Sequence, residues 1–296
     1  MWSSVLKLLP FEVGNAIRLI TNEVSEIRIR RGAAVCVTVV ESIAGEIRFT
    51  NRALGIFVSD EMMTNLVRTL TGHSLYTHED TLKEGYITVQ GCYRVGVCGE
   101  VVCDGNTILN MKRIDSVVIR LWKERYGIAD PLYGFLQKKK FTASLLLYSL
   151  PGMGKTTVLR DLGYSLSQRE PHLRVSVIDS RYEIITPALR GLNHLDVLSG
   201  YPKVKGMEIA TRVLSPQYIL CDEIGPDEAG AMEAVLNSGV PIIATAHGSS
   251  IERLLHEAHF FSMHQRHCFD AYVKIVSLTE NAAKYEIVSR EEVGAS

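Results

Sequence analysis

An α/β protein is expected from this chain, with a parallel-sheet core preceded by a smaller α+β domain. Three observations predict it. A glycine-rich turn lies between an apolar run and a helix-like segment, a second apolar run ends in adjacent carboxylates, and the hydrophobic pattern changes near the middle of the chain. Length agrees: at about 150 residues per domain, 296 residues make room for two, and a hydrophobic content of 46% supplies a core for each.

The first domain is expected over residues 1–125. Ser25-Glu26-Ile27-Arg28-Ile29-Arg30 alternates apolar and charged residues, the pattern of a half-buried strand. Ala34 to Val40 is a more continuous β-branched run, and Met63, Leu66, Val67 and Leu70 give residues 60–71 a helical spacing. Gly85 to Gly99 reads as two strands around a tight turn, and Ser116 to Leu121 as a further strand. A linker is expected over 126–142. There Tyr126 to Pro131 interrupts the pattern, Leu132 to Leu136 suits a short helix, and Lys138, Lys139 and Lys140 suit solvent.

From residue 143 to 296 strands alternate with helices, as in a parallel sheet. Ala143 to Tyr148 is the first strand, Ser149-Leu150-Pro151-Gly152-Met153-Gly154-Lys155-Thr156-Thr157 the turn, and Val158 to Leu162 the start of a helix. This is the layout of a phosphate-binding P-loop. Glycines let backbone N–H groups close around an anion at the positive end of a helix. Residues 149–157 are therefore the expected nucleotide cradle, with Lys155 reaching the β- and γ-phosphates and the Thr156 hydroxyl holding Mg²⁺. The strict pattern has glycine where this chain has Ser149, a residue small enough for the end of a strand.

Tyr218 to Cys221 forms a second strand ending in Asp222-Glu223. Asp222 is expected to bind Mg²⁺ through its water shell and Glu223 to polarise the attacking water. A third strand, Pro241 to Ala246, ends at His247-Gly248, where a polar side chain can sense the γ-phosphate. A fourth, Arg174 to Ile178, leads into Asp179-Ser180-Arg181-Tyr182-Glu183-Ile184. The carboxyl ends of such strands face the ligand, which puts Asp179 and Glu183 beside the site, with surface salt bridging as the competing reading.

Composition narrows the function. With 32 basic and 33 acidic residues the net charge is −1, so no nucleic-acid footprint is expected. No run reaches the roughly 18 apolar residues of a membrane span, and Met1 to Lys7 lacks the charged start of a signal peptide. The cysteines at 36, 92, 98, 103, 221 and 268 form no C-x-x-C pair, and several lie in apolar strand-like sequence, which suits buried thiols. His256, His259, His264, His267 and Cys268 lack zinc spacing, so Mg²⁺ is the metal expected here.

The order of these motifs resembles the stage III sporulation protein AA family. The resemblance rests on Asp179-x-Arg181-x-Glu183-Ile184, Asp196-Val197-Leu198, Lys203-x-x-Gly206-Met207, Arg212-x-x-Ser215-Pro216, Asp222-Glu223-Ile224-Gly225, Gly239-Val240 and Thr245-Ala246-His247-Gly248. In the first half, Glu26 to Arg30, Ser74-Leu75-Tyr76, Gly85 to Thr88, Gly91-x-x-Arg94-Val95-Gly96 and Ile119-Arg120 agree as well. The resemblance spans roughly residues 5–278. It implies a RecA-like P-loop ATPase related to the secretion ATPases of type II and type IV pilus systems, using ATP and Mg²⁺. It further implies a homo-oligomer, a ring of six. Such a protein sits in the cytoplasm on the mother-cell side, held at the membrane by proteins of the same sporulation operon. There it energises or assembles the channel between mother cell and forespore.

Residue by residue, the resemblance carries roles to Gly152, Gly154, Lys155, Thr156, Asp222, Glu223 and His247, and places Glu183 in the acidic element. Arg212 falls where secretion ATPases carry an arginine ahead of the second strand, a candidate contact for phosphate or a neighbouring subunit. The chain departs from the family at Ser180, where an acid is usual, at Gly91-Cys92, and at Phe269-Asp270-Ala271, which leaves a slow ATPase or an ATP-gated assembly scaffold open beside the motor. A RecA-like nucleic-acid motor is the remaining alternative. Arg28, Arg30, Arg94, Arg113 and Arg120 are expected on solvated strand faces, with Arg94 and Arg120 as candidates to reach the nucleotide across a domain or subunit boundary.

Overall fold

The alternating stretch near residue 27 lies at the centre of a six-stranded sheet in the computed structural model, which describes residues 3–43, 46–90, 93–121, 124–279 and 282–293. Gly91 and Cys92 lie outside the described residues. The chain divides into two compact units, Met1–Lys123 and Glu124–Ser296.

The first unit runs α1 (Ser3–Leu6), α2 (Phe11–Arg18), β1 (Glu23–Arg30), β2 (Ala34–Ile43), β3 (Glu46–Phe57), α3 (Asp60–Leu70), α4 (Glu79–Lys83), β4 (Tyr86–Val89), β5 (Tyr93–Asp104) and β6 (Thr107–Arg120). The strands pair antiparallel in the order β3-β2-β1-β6-β5-β4. Alternation buries Ile27, Ile29, Val37, Val39, Val95, Val117 and Ile119, and the helical spacing of α3 buries Met63, Leu66 and Leu70. Ser59 caps α3 by accepting from the Met62 N–H at 3.1 Å, a bond worth about 1 kcal/mol to the helix. Of the strand arginines, Arg28 pairs with Glu26 at 2.8 Å and Arg113 with Asp115 at 2.8 Å, while the Arg94 guanidinium covers the Tyr86 ring at 4.0 Å.

β5 and β6 extend well past the strands expected there, because their distal parts form a ribbon open to solvent. Residues 98–104 are exposed throughout, so no inside-outside alternation marks them in the sequence. Cys98 and Cys103 are consequently exposed, against the expectation of buried thiols, whereas Cys221 and Cys268 are buried.

The second unit contains α5 (Asp130–Lys138), β7 (Leu145–Ser149), α6 (Lys155–Gln168), β8 (Val175–Asp179), α7 (Pro187–Arg190), β9 (Leu195–Ser199) and α8 (Lys203–Ile209). It continues with β10 (Tyr218–Cys221), α9 (Ala229–Ser238), β11 (Ile242–His247), α10 (Ile251–His256), α11 (Ala258–Gln265), β12 (Ala271–Leu278) and β13 (Ala283–Ser289). The sheet order is β13-β12-β7-β11-β10-β8-β9, parallel apart from the antiparallel β12–β13 pair. Every residue of β7, β8 and β10 is buried, the continuous apolar signature of strands covered on both faces. Among the described residues no helix is long and apolar enough to cross a membrane.

The stretch expected to link the domains packs into this second unit. Ile128, Ala129, Leu132 and Leu136 are fully buried. The Asp161 carboxylate of α6 accepts the N–H groups of Gly127 at 3.2 Å and Ala129 at 2.7 Å, fixing the entry to α5. Because those bonds are charge-assisted and buried, Asp161→Ala is expected to lower unfolding free energy by about 1.5–3 kcal/mol. Urea denaturation of the variant beside the parent protein measures this.

Candidate active site

The parallel registers bring the chemistry together. β11 pairs β7 with His247 opposite Ser149, and β10 lies between β11 and β8 with Cys221 opposite both Ala244 and Ile178. The P-loop, Asp222-Glu223, His247 and the acidic element after Asp179 therefore all leave the sheet at its carboxyl edge, where α/β sheets bind ligands.

Ser149 ends β7 as a buried, extended residue, which is why glycine is not required there. The turn itself depends on two glycines in left-handed backbone, Gly152 at φ 78° and Gly154 at φ 86°. Gly154 caps the 14-residue helix α6, whose free N–H groups and dipole favour an anion. A Cβ on Gly154 would stand 2.2 Å from Leu278 Cδ2 of β12, whereas one on Gly152 meets nothing within 4 Å. Leu150 is exposed at the lip of the turn, and Met153 N–H donates to its carbonyl at 3.4 Å.

Lys155 is buried and donates to the carbonyls of Ser149 at 3.3 Å and Leu150 at 3.4 Å and to His247 Nδ1 at 2.9 Å. Burial lowers its pKa, opposed by the nearby Glu223 and Asp222 carboxylates. Since the ammonium can only donate, Nδ1 of His247 is the acceptor and Nε2 carries the proton that meets Glu223 Oε1. The other oxygen of Glu223 accepts from Arg181 Nη1 at 3.0 Å. Thr156 Oγ1 donates to Asp222 Oδ2 at 3.2 Å, and Asp222 Oδ1 accepts from Thr245 Oγ1 at 2.6 Å and from the Glu223 N–H at 3.0 Å.

Asp179 lies at the cleft, as its position suggested, and also organises the loop that follows it. Its buried carboxylate accepts the N–H groups of Glu183 at 2.7 Å, Ile184 at 3.2 Å and Ile185 at 2.9 Å, wrapping the acidic element around itself. Burial still pushes its carboxyl above the ordinary range against those bonds. Arg160 of α6 completes the wrap by donating to the carbonyls of Glu183 and Ile184, the latter at 2.9 Å. Asp179, Ser180 and Glu183 line a small cleft with Arg181, Lys203, Asp222 and Glu223.

The structure thus brings together Lys155, Thr156, Asp222, Glu223, Glu183 and His247. It does not bring in Arg212, whose exposed guanidinium pairs with Glu208 at 2.9 Å one helical turn away. Ala271 begins β12 opposite Leu145, at the far end of β7 from the P-loop, so that departure from the family pattern leaves the site untouched. Sequence reasoning gave no role to Thr245, Arg160 or Arg181. Thr245 carried a signal, a hydroxyl within an otherwise apolar buried strand; the other two are recognisable once register and loop path are known. The side-chain oxygens of Thr156 and Asp222 form a hard donor set at the helix terminus, which fits Mg²⁺.

A family model described as sporulation stage III, protein AA matches residues 5–290. Stage III sporulation protein AA of Bacillus subtilis (strain 168) is 29% identical over 291 residues, 92% of this chain and 90% of that protein. An uncharacterized protein, ycf45 of Porphyra purpurea, is 34% identical over 119 residues, 38% of this chain and 21% of that protein. Among solved structures, the ATPase DotB of Legionella pneumophila superposes with a TM-score of 0.60 at 15% identity, covering 96% of this chain and 82% of that one. The pilus retraction motor PilT with bound ADP gives a TM-score of 0.62 at 15% identity, covering 94% and 81%. The fold of this chain is accordingly the RecA-like P-loop fold of those ATPases.

The two P-loop glycines make a test of the local geometry. Gly154→Ala is expected to cost more stability than Gly152→Ala, by about 1–3 kcal/mol, because overpacking against Leu278 adds to the left-handed strain that both share. Chemical denaturation of the two variants in parallel reads the difference, and equal losses would contradict it.

Proposed function

The chain belongs to the sporulation stage III, protein AA family, and we propose that it binds Mg-ATP at the P-loop and hydrolyses it as the motor of a sporulation-associated secretion or channel complex. The observation that carries this reading is the convergence of Lys155, His247, Glu223, Asp222 and Thr156 through consecutive hydrogen bonds at the carboxyl edge of the parallel sheet. A turn that merely happened to hold glycines would have no reason to face a strand-end carboxylate pair.

The backbone N–H groups of residues 152–157 and the α6 dipole bind the phosphates, and Lys155 places its charge on the β- and γ-phosphates. Thr156 and Asp222 would hold Mg²⁺, which supplies charge neutralisation to the phosphates when bound. Glu223 takes a proton from water as the water oxygen bonds to the γ-phosphorus, and the bond to the β–γ bridging oxygen breaks to leave ADP and phosphate. His247 senses the reaction. A phosphate that takes the Lys155 ammonium removes the donor that holds Nδ1, and the same ring touches the Glu223 carboxylate. Glu183 adds a further carboxylate to the cleft beside Asp179, Asp222 and Glu223.

Assembly into a homo-oligomeric ring of six, attachment to membrane proteins of the same operon, and work on the channel between mother cell and forespore belong to the same proposal. They are supported by family membership and by the shared fold of DotB and PilT. Arg212, exposed on its helix, is available to a neighbouring subunit rather than to the nucleotide of its own chain.

Steady-state ATP turnover beside Glu223→Gln is the first test. The variant is expected to keep Mg-ATP binding and to lose about 10²–10⁴-fold in kcat, the usual contribution of a positioned general base. Binding without turnover in both proteins would replace the motor by an ATP-gated scaffold. Lys155→Ala is expected to lose binding itself, measured by calorimetric titration with Mg-ATP.

A further inference from the structure

Lys203 and Gly206 belong to a motif that nucleotide binding alone does not explain, and the structure joins both to Glu223. Gly206 lets α8 lie close against β8, since a Cβ there would stand 2.8 Å from Ile178 Cγ2. The next residue, Met207, is buried in the core that fixes the helix. β8 and β10 are neighbours in register, with Ile178 opposite Cys221. A helix seated this closely on β8 therefore starts beside the end of β10. From that start the Lys203 ammonium donates to the backbone carbonyl of Glu223.

The peptide it holds is unusual. Glu223 has φ 37°, a left-handed conformation that a Cβ disfavours. The N–H side of the turn is tied to β11: Glu223 N–H donates to Thr245 Oγ1 at 2.8 Å and Ile224 N–H to the Thr245 carbonyl at 2.9 Å. Lys203 ties the carbonyl side. Turning this peptide out of the left-handed region would swing the Cα–Cβ bond and carry the carboxylate away from Arg181 and His247.

We infer that Lys203 is the positioning residue for Glu223, its charge holding the left-handed turn that aims the carboxylate into the cleft. The inference rests on Glu223 as the water-activating group. Gly206 is the packing condition for it, which accounts for the lysine and glycine three residues apart. A lysine that instead contacted phosphate would govern affinity for the nucleotide, whereas a positioning lysine governs the rate of the bound complex.

The test uses the full chain with Lys203→Ala, Lys203→Arg, Glu223→Gln and the Lys203→Ala/Glu223→Gln pair. Lys203→Ala is expected to lower kcat about 10- to 100-fold, by analogy with the loss on removing groups that orient metal ligands, with the Kd for Mg-ATP unchanged. Lys203→Arg, which still donates to the carbonyl, restores part of the rate, and the double variant turns over no more slowly than Glu223→Gln alone. A raised Kd with kcat retained, or additive losses in the double variant, would overturn the inference. A crystal structure of Lys203→Ala reads the geometry without turnover: residue 223 is expected to leave the left-handed region, and a φ kept near its present value overturns the inference. Absence of turnover in the parent protein would refute the hydrolase reading while this structural comparison still decides the role of Lys203.

Discussion

The Asp222 carboxylate is where three elements of the core are tied. It accepts from Thr156 on α6, from Thr245 on β11, and from the N–H of Glu223 beyond its own strand. A half-buried carboxylate requires such partners, because an unpaired charge out of water is far more costly than the bonds are individually worth. Those donors make the P-loop helix, the strand that ends in His247 and the turn that carries Glu223 parts of one network. Displacement of any of them leaves a donor or an oxygen without its partner, so the geometry at this carboxyl edge of the sheet is set jointly by residues far apart in sequence.

A second constraint lies in the proton count of Lys155. Its ammonium has three protons and no acceptor capacity, and its contacts with Ser149, Leu150 and His247 account for them. A phosphate oxygen can reach this group only by replacing one of those acceptors. Two are carbonyls of the glycine-rich loop, while the third belongs to a side chain that also touches Glu223. An exchange at His247 would be the one to reach the carboxylate. It needs no long-range pathway, since the imidazole bridges both groups directly.

Much of this was legible in the sequence, and what was not had physical causes. The P-loop and Asp222-Glu223 are contiguous, so their residues reveal their chemistry without the fold. The apolar strands β7, β8, β10 and β11 announce themselves because both faces are covered. β3 and the outer halves of β5 and β6 carry no comparable signal, since Phe49, Phe57, Val102 and Leu109 face solvent and the alternation that marks a strand is lost. Residues 126–142, expected as a linker, are held to the second unit because Asp161, a residue more than thirty positions downstream, satisfies the backbone at Gly127 and Ala129. Arg160 and Lys203 act on backbone carbonyls, and a sequence does not show which carbonyl a cation will meet.

The acidic element illustrates how backbone demand decides what a carboxylate can do. Asp179 and Glu183 have the same charge and lie one loop apart. The N–H groups of residues 183–185 occupy the Asp179 oxygens, which makes that residue the scaffold of the loop, while Glu183 is not tied down by them. Ser180 lines the same cleft as both acids. The cleft sets Asp179, Glu183, Asp222 and Glu223 against Arg181 and Lys203. Another carboxylate at 180 would add repulsion among these acids in a region screened less than open surface. A serine at 180 therefore adds no further charge to a cleft that already holds four carboxylates, among which Glu223 is held from both sides of its peptide.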